Sequence, residues 1–174
     1  MSQSGSQPLK IAFITAGLYL DPSDEQAQIP FRSMSKFSTG DVYGVIYERR
    51  FAGYLIGRFR VKALYLPSSL GGYGLIKGTV RALGYSLFVL WSLFRVRFSK
   101  DRYDLIVAID PFKSGTLALL GSKLLGTPFV VEFNGNYFAA LDLEEGTSRS
   151  WLNALKARIA RRLIPRVARA ARSI

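Results

Sequence analysis

DLIVAIDPFKSGTLALLGSKLLGTPFVVEF, residues 104–133, decides the fold of this chain. Between its two aspartates, Asp104–Asp110 is an unbroken apolar, β-rich run, as in a strand covered on both faces. Pro111 turns the chain, and Lys113–Leu125 continues at helical length with small and leucine side chains. Gly126, Thr127 and Pro128 end that helix, and Phe129–Phe133 begins a second apolar run. A strand, a helix and a strand within about 30 residues make a parallel crossover unit, right-handed in nearly all proteins. The chain is therefore predicted to be α/β, with a mostly parallel sheet flanked by helices.

The flanking sequence supplies the other elements. Leu9–Ala16 is a strand that runs directly into Gly17. Ile29–Phe37 is expected as a helix starting after Pro30, and Thr39, Gly40 and Asp41 as a break behind it. Val42–Tyr47 and Phe59–Leu66 are two more strands, the second stopped by Pro67. Leu75–Phe98 is helical, opened by Lys77 and Arg81 and closed by Arg95 and Arg97, with no charge from Ala82 to Phe94. That apolar run is shorter than the roughly 20 residues of a membrane span. The helix is either buried against the sheet, the commoner outcome, or dipped into a lipid interface with its four cations toward the headgroups. Asn134–Ser150 reads as a polar loop, and Trp151–Arg172 as a basic helix interrupted near Pro165. Leu152, Leu155, Ile159, Leu163 and Val167 recur on one face of it. Residues 1–8 read as a polar, flexible leader, leaving one domain over 9–174.

Composition excludes more chemistry than it offers. With neither His nor Cys among 174 residues, the chain cannot build a zinc finger, a thiol nucleophile or a histidine base. Lack of cysteine suits a reducing compartment, and residues 1–10 lack the apolar core of a signal peptide, so a cytoplasmic location is expected. A net charge of +12 favours an anionic partner. Nucleic acid fits poorly, because the cations are spread over several elements and no nucleic-acid motif appears. The glycines from Gly71 to Gly78 miss the phosphate-loop order, since Lys77 precedes Gly78, and they miss the dinucleotide fingerprint as well. Asp110 ends a strand on the side where open α/β sheets bind ligands, or else it caps the loop before Pro111. Glu132, read as buried in a strand, is expected to pair with an arginine.

The order of elements resembles a known family. YDLIVAIDPFKSGTLALLGSKLLGTPFVVEFNGNY (103–137) and the closing RVARAARSI (166–174) resemble the N-terminal domain of glycosyltransferase family 4 enzymes of the GT-B fold. There an aspartate-led strand ends in an "xDP" loop, and a small-residue helix passes through "LLG-P" into the next strand. The resemblance covers Lys10 to Ile174 and implies a Rossmann-like, acceptor-side half of a retaining enzyme. Its partners would be a sugar or lipid-linked acceptor and a donor-binding domain that holds a nucleotide-sugar; apart from the resemblance, the net charge and the apolar helix with its four cations add an anionic membrane surface at the inner face. That donor is a co-substrate, and no cofactor or metal is implied. These 174 residues carry no Glu-x7-Glu pair, the family's donor-binding signature, so the chain reads as cut before that domain and inactive alone. On this resemblance Gly17, Asp110, Lys113, Ser114 and Asn134 face the acceptor. Gly17 allows close backbone approach, Asp110 accepts from sugar hydroxyls, and Lys113 and Ser114 meet a phosphate at a helix N-terminus. Asn134 stands where many members have a histidine, and would position substrate without shuttling protons. The alternative is a non-catalytic basic module bound to a membrane or to nucleic acid.

Overall fold

A computed structural model describes residues 7–20, 23–47, 53–67, 75–133 and 151–171. The expected loop at 134–150 and the glycine cluster at 71–74 lie outside the described residues. Among the described residues ten elements follow in order: β1 (Leu9–Tyr19), α1 (Glu25–Met34), β2 (Ser38–Ile46), β3 (Leu55–Ile56), β4 (Phe59–Tyr65), α2 (Leu75–Arg97), β5 (Leu105–Ala108), α3 (Lys113–Leu125), β6 (Phe129–Val131) and α4 (Trp151–Ala170). The strands form one sheet in the order β3-β4-β2-β1-β5-β6. All neighbours are parallel except β3, which pairs antiparallel with β4 through a turn where Gly57 has φ +60°. This is the Rossmann-like α/β sheet predicted from residues 104–133, and β5–α3–β6 is the crossover read there.

Alternation along the strands divides the core between two faces. Ile11, Phe13, Val42, Phe59 and Val61 point to one face, where Phe31 of α1 packs edge-on against Phe13 at 5.2 Å. Ala12, Ile14, Tyr43, Val45, Ile106 and Ala108 point to the other, under Tyr85, Val89 and Leu93 of α2 and Leu117 and Ala118 of α3. Burial of these side chains supplies the main driving force, about 1.5–3 kcal/mol for each large aliphatic or aromatic one. α3 sits close because it is lined with small residues. A Cβ on Gly121 would lie 2.6 Å from Leu93 Cδ1, and one on Gly115 would lie 2.9 Å from Val167 Cγ1 of α4.

Several expectations change in three dimensions. Gly40 does not break the chain but lies inside β2, opposite Ile11. α1 begins before Pro30, which sits within it, and α4 runs unbroken through Pro165. Pro165 is exposed while Ile164 and Val167 on either side of it are buried, so packing holds the helix across the missing N–H. The buried face of α4 is Ala157, Ala160, Ile164 and Val167, whereas Leu155 and Ile159 are exposed. Of the expected face Val167 is buried and Leu163 half-buried, the Leu152 side chain lies outside the described residues, and the small side chains let α4 approach Gly115. Glu132 lies just past β6 and is exposed, so no buried partner is required of it. α2 is only half buried: Tyr85, Val89, Leu93 and Val96 face inward, while a row of large apolar side chains faces out.

Candidate functional site

Strand order reverses between β1 and β5, since the chain builds toward β4 on one side and toward β6 on the other. In open parallel sheets the crevice beyond the strand ends at such a reversal is the ligand position. Here it is framed by the end of β1, which contains Gly17, and by Ile109 to Ser114 after β5. β1 leaves its register with β2 between Ile14 and Tyr19. Side chains repair the gap: Thr15 Oγ1 donates to Tyr43 O at 2.7 Å, Tyr85 Oη donates to the same carbonyl at 2.8 Å, and Thr15 N donates to Tyr85 Oη at 3.3 Å. A hydroxyl from α2 thus fixes the rim of the crevice from beneath.

Asp110, Lys113 and Ser114 meet at the start of α3, and the contacts among them are dense. Asp110 Oδ1 accepts from Phe112 N at 2.9 Å and from Lys113 N at 2.7 Å. Asp110 Oδ2 accepts from Ser114 N at 3.0 Å and from Ser114 Oγ at 2.5 Å. Ser114 Oγ also accepts from Asp110 N at 2.9 Å. The sequence Asp-Pro explains this geometry. A short Asp side chain reaches the amides two to four residues ahead of it, and Pro111, which lies before the helix, has no N–H to satisfy. The amides that a phosphate would use at this helix end are given to a carboxylate of the chain itself, and Asp110 orders the loop. Ser114 is fully buried, whereas Lys113 is exposed. Asn134 lies outside the described residues. Among the described residues no group of three or more metal-ligating side chains is gathered.

The Asp110→Ala variant is expected to fold with a melting temperature lowered by about 2–8 °C, from loss of a cap worth about 1–2 kcal/mol. Asp110→Asn, which keeps an acceptor oxygen, should recover most of that loss. Thermal unfolding followed by circular dichroism checks both, and equal melting for Asp110→Ala and the parent would remove the capping role.

From this loop an apolar groove runs between α2, α3 and α4, with a volume of ≈ 320 Å³. Tyr85, Leu90, Phe112, Leu117, Leu120 and Leu163 are among its walls. Its hydroxyls turn back on the protein: Ser86 Oγ donates to Ala82 O at 2.8 Å and Thr116 Oγ1 donates to Phe112 O. Among the described residues, Lys113 is the one charged residue lining it.

A second polar cluster, on the amino-terminal half of the sheet, was not foreseen. Asp41 of β2 is 2% exposed and is held by Arg60 Nε at 2.8 Å and Lys62 Nζ at 3.0 Å. Tyr103 Oη donates to Asp41 Oδ2, which leaves Tyr43 Oη as donor to Tyr103 Oη at 2.9 Å. Burial pushes the Asp41 carboxyl up, but Arg60, Tyr103 and Lys62 together outweigh it and hold the group below its ordinary value. Burial pushes both tyrosine hydroxyls up, so each stays protonated. The available signal was Asp41/Tyr43 and Arg60/Lys62, two residues apart on strands that become neighbours.

Comparison with known proteins completes the picture. Two crystal structures of a C-terminal domain of a hydrogenase from Pyrococcus furiosus overlap with 12% and 13% identity, each with a TM-score of 0.47. They cover 72% and 74% of this chain and 92% and 97% of theirs, and at that overlap nothing is carried over. No curated protein matches the sequence. The family described as glycosyl transferase 4-like domain matches residues 12–174, which takes in all of the sheet but the first three residues of β1, together with the strand-order reversal and the Asp110 loop. The chain therefore belongs to the glycosyl transferase 4-like domain family.

Proposed function

We propose that this domain is the acceptor-binding half of a retaining glycosyltransferase, and that its acceptor is lipid-linked. The observation that carries the reading is the groove at the mouth of the crevice. Among the described residues its walls are hydrocarbon, its hydroxyls are turned inward, and its single cation is Lys113, next to the Asp110 loop. A free sugar needs a wall of hydrogen-bonding groups, whereas an apolar chain ending in phosphate needs hydrocarbon and one cation. Gly17, Asp110, Lys113, Ser114 and Asn134 would shape the polar end. The Asp110 carboxylate serves mainly by holding the loop on which Lys113 is mounted.

The donor nucleotide-sugar would be held by a separate domain, since these residues carry no Glu-x7-Glu pair. The chain by itself is expected to bind acceptor and not to transfer sugar. Aligning two reactants accounts for about 7–11 kcal/mol of barrier lowering, and half a cleft forgoes most of it. Purified chain mixed with nucleotide-sugars and a short-chain lipid-phosphate saccharide should show acceptor binding by calorimetry, weakened in Lys113→Glu, and no product. Turnover that survives repurification would overturn the half-enzyme reading. Absence of acceptor binding would overturn the acceptor assignment.

A further inference from the structure

We infer that the outer face of α2, with the adjoining surface of α3, is the seat of an anionic membrane surface. Val80, Leu83, Leu87, Trp91, Phe94 and Phe98 are each at least 41% exposed. Their spacing of three and four residues sets them in one straight row, about 27 Å long at 1.5 Å per residue. Trp91 stacks on Phe94 at 5.9 Å and Phe94 meets Phe98 edge-on at 5.1 Å, so the row ends in an aromatic ladder. The helix cannot roll to hide it, because Tyr85, Val89, Leu93 and Val96 on the opposite side are locked in the core. Leu120 and Leu124 of α3 widen the patch, closing a shallow groove of ≈ 500 Å³ with Leu87, Leu90, Trp91 and Phe94.

What covers this face is indicated by the charge beside it. At the end of the ladder a pocket of ≈ 460 Å³ is lined by Arg97, Phe98, Arg102, Lys123, Leu125 and Gly126, with no acidic residue among them. Arg97 donates to the neutral Leu124 carbonyl at the end of α3, so it keeps its charge and adds to that of Arg102 and Lys123. The neighbouring acids face elsewhere: Asp101 pairs with Lys10 Nζ at 3.2 Å, and Asp104 accepts from Lys10 N at 2.8 Å. Arg95 is exposed beside the row, Arg81 lies over the Tyr47 ring, and the Lys77 side chain lies outside the described residues. Hydrocarbon bordered by cations is the complement of an anionic lipid interface, where apolar side chains enter the acyl boundary and Lys and Arg meet phosphates. A second copy would set the same cations against each other. No described helix is long and apolar enough to cross a membrane, so α2 would lie along the surface.

Flotation with phosphatidylglycerol-containing and pure phosphatidylcholine vesicles, at low and high salt, tests the inference. The chain should float with the anionic vesicles at low salt and be released as salt screens the cations. Leu87→Glu with Phe94→Glu, both at exposed positions, should weaken binding by at least about 10-fold while circular dichroism stays unchanged. Arg102→Glu with Lys123→Glu should weaken it on anionic vesicles only. No flotation at low salt, or equal flotation by the Leu87→Glu, Phe94→Glu variant, would overturn the inference. So would self-association without vesicles that the same variant abolishes, since the face would then belong to a second copy. These measurements require no acceptor or donor, so they stand apart from the proposed function.

Discussion

Gly40→Ala should leave the protein unable to hold its sheet. Gly40 lies in β2 directly opposite Ile11 of β1, with φ +144°, a region that side-chain-bearing residues rarely enter. A Cβ there would stand 1.9 Å from the Ile11 carbonyl oxygen and 2.8 Å from its carbon, inside any contact distance. Both partners are backbone in the middle of the sheet, so neither can rotate away. The expected loss is more than about 4 kcal/mol, a large part of the roughly 5–15 kcal/mol that holds a domain together. Gly78→Ala is the matched control. Gly78 is in α2 with nothing within 4 Å of an added Cβ, and alanine there should be neutral or stabilising by up to about 1 kcal/mol. Urea denaturation of the two variants separates them. Gly40→Ala unfolding within about 1 kcal/mol of the parent would show that β1 and β2 do not meet in this way.

Asp41→Ala is the second large effect, and its size depends on which partners reach water. Removing one member of a buried ion network costs about 3–5 kcal/mol, because the remaining charges lose their compensation. Here the Arg60 side chain is half exposed and can be rehydrated, which lowers the expected loss to about 2–4 kcal/mol. The same group sets an acid limit. The folded-state pKa of Asp41 lies below its ordinary value of 3.8, so its contribution is complete above that value. It fades as pH falls through the ordinary value toward the lower folded one. Urea midpoints measured from neutral pH downward should therefore drop more steeply in the parent than in Asp41→Asn. Parallel curves would show that the carboxylate contributes nothing through its charge.

The two sites were unequally legible in the sequence, and the reason is chain distance. β5, α3 and β6 form from contiguous residues with punctuation at Pro111 and Gly126, so the crossover and the switch-point loop could be read directly. The Asp41 cluster draws on residues 41, 43, 60, 62 and 103, and nothing local marks them as neighbours. Gly40 misleads for a related reason. A glycine that permits a turn and one that permits close strand approach are the same letter, and only the partner strand tells them apart. Asp110 shows a third limit. Its residue type and position allowed both a ligand contact and a helix cap, and only the positions of the Phe112, Lys113 and Ser114 amides reveal the capping geometry.

The central place of β1 also bears on how the chain is made. One of its edges is covered early, by β2, but the other waits for β5, about 94 residues further along. At a synthesis rate of roughly 5–20 residues per second, that edge stands open on the nascent chain for about 5–20 s. The backbone groups that β5 later pairs, among them the Lys10 and Ile14 carbonyls, are open to other chains through this interval. Quality of folding in the cell would thus be decided while the Asp110 loop is still unmade, by whatever shields the bare side of LKIAFITA (residues 9–16) until Leu105–Ala108 arrives.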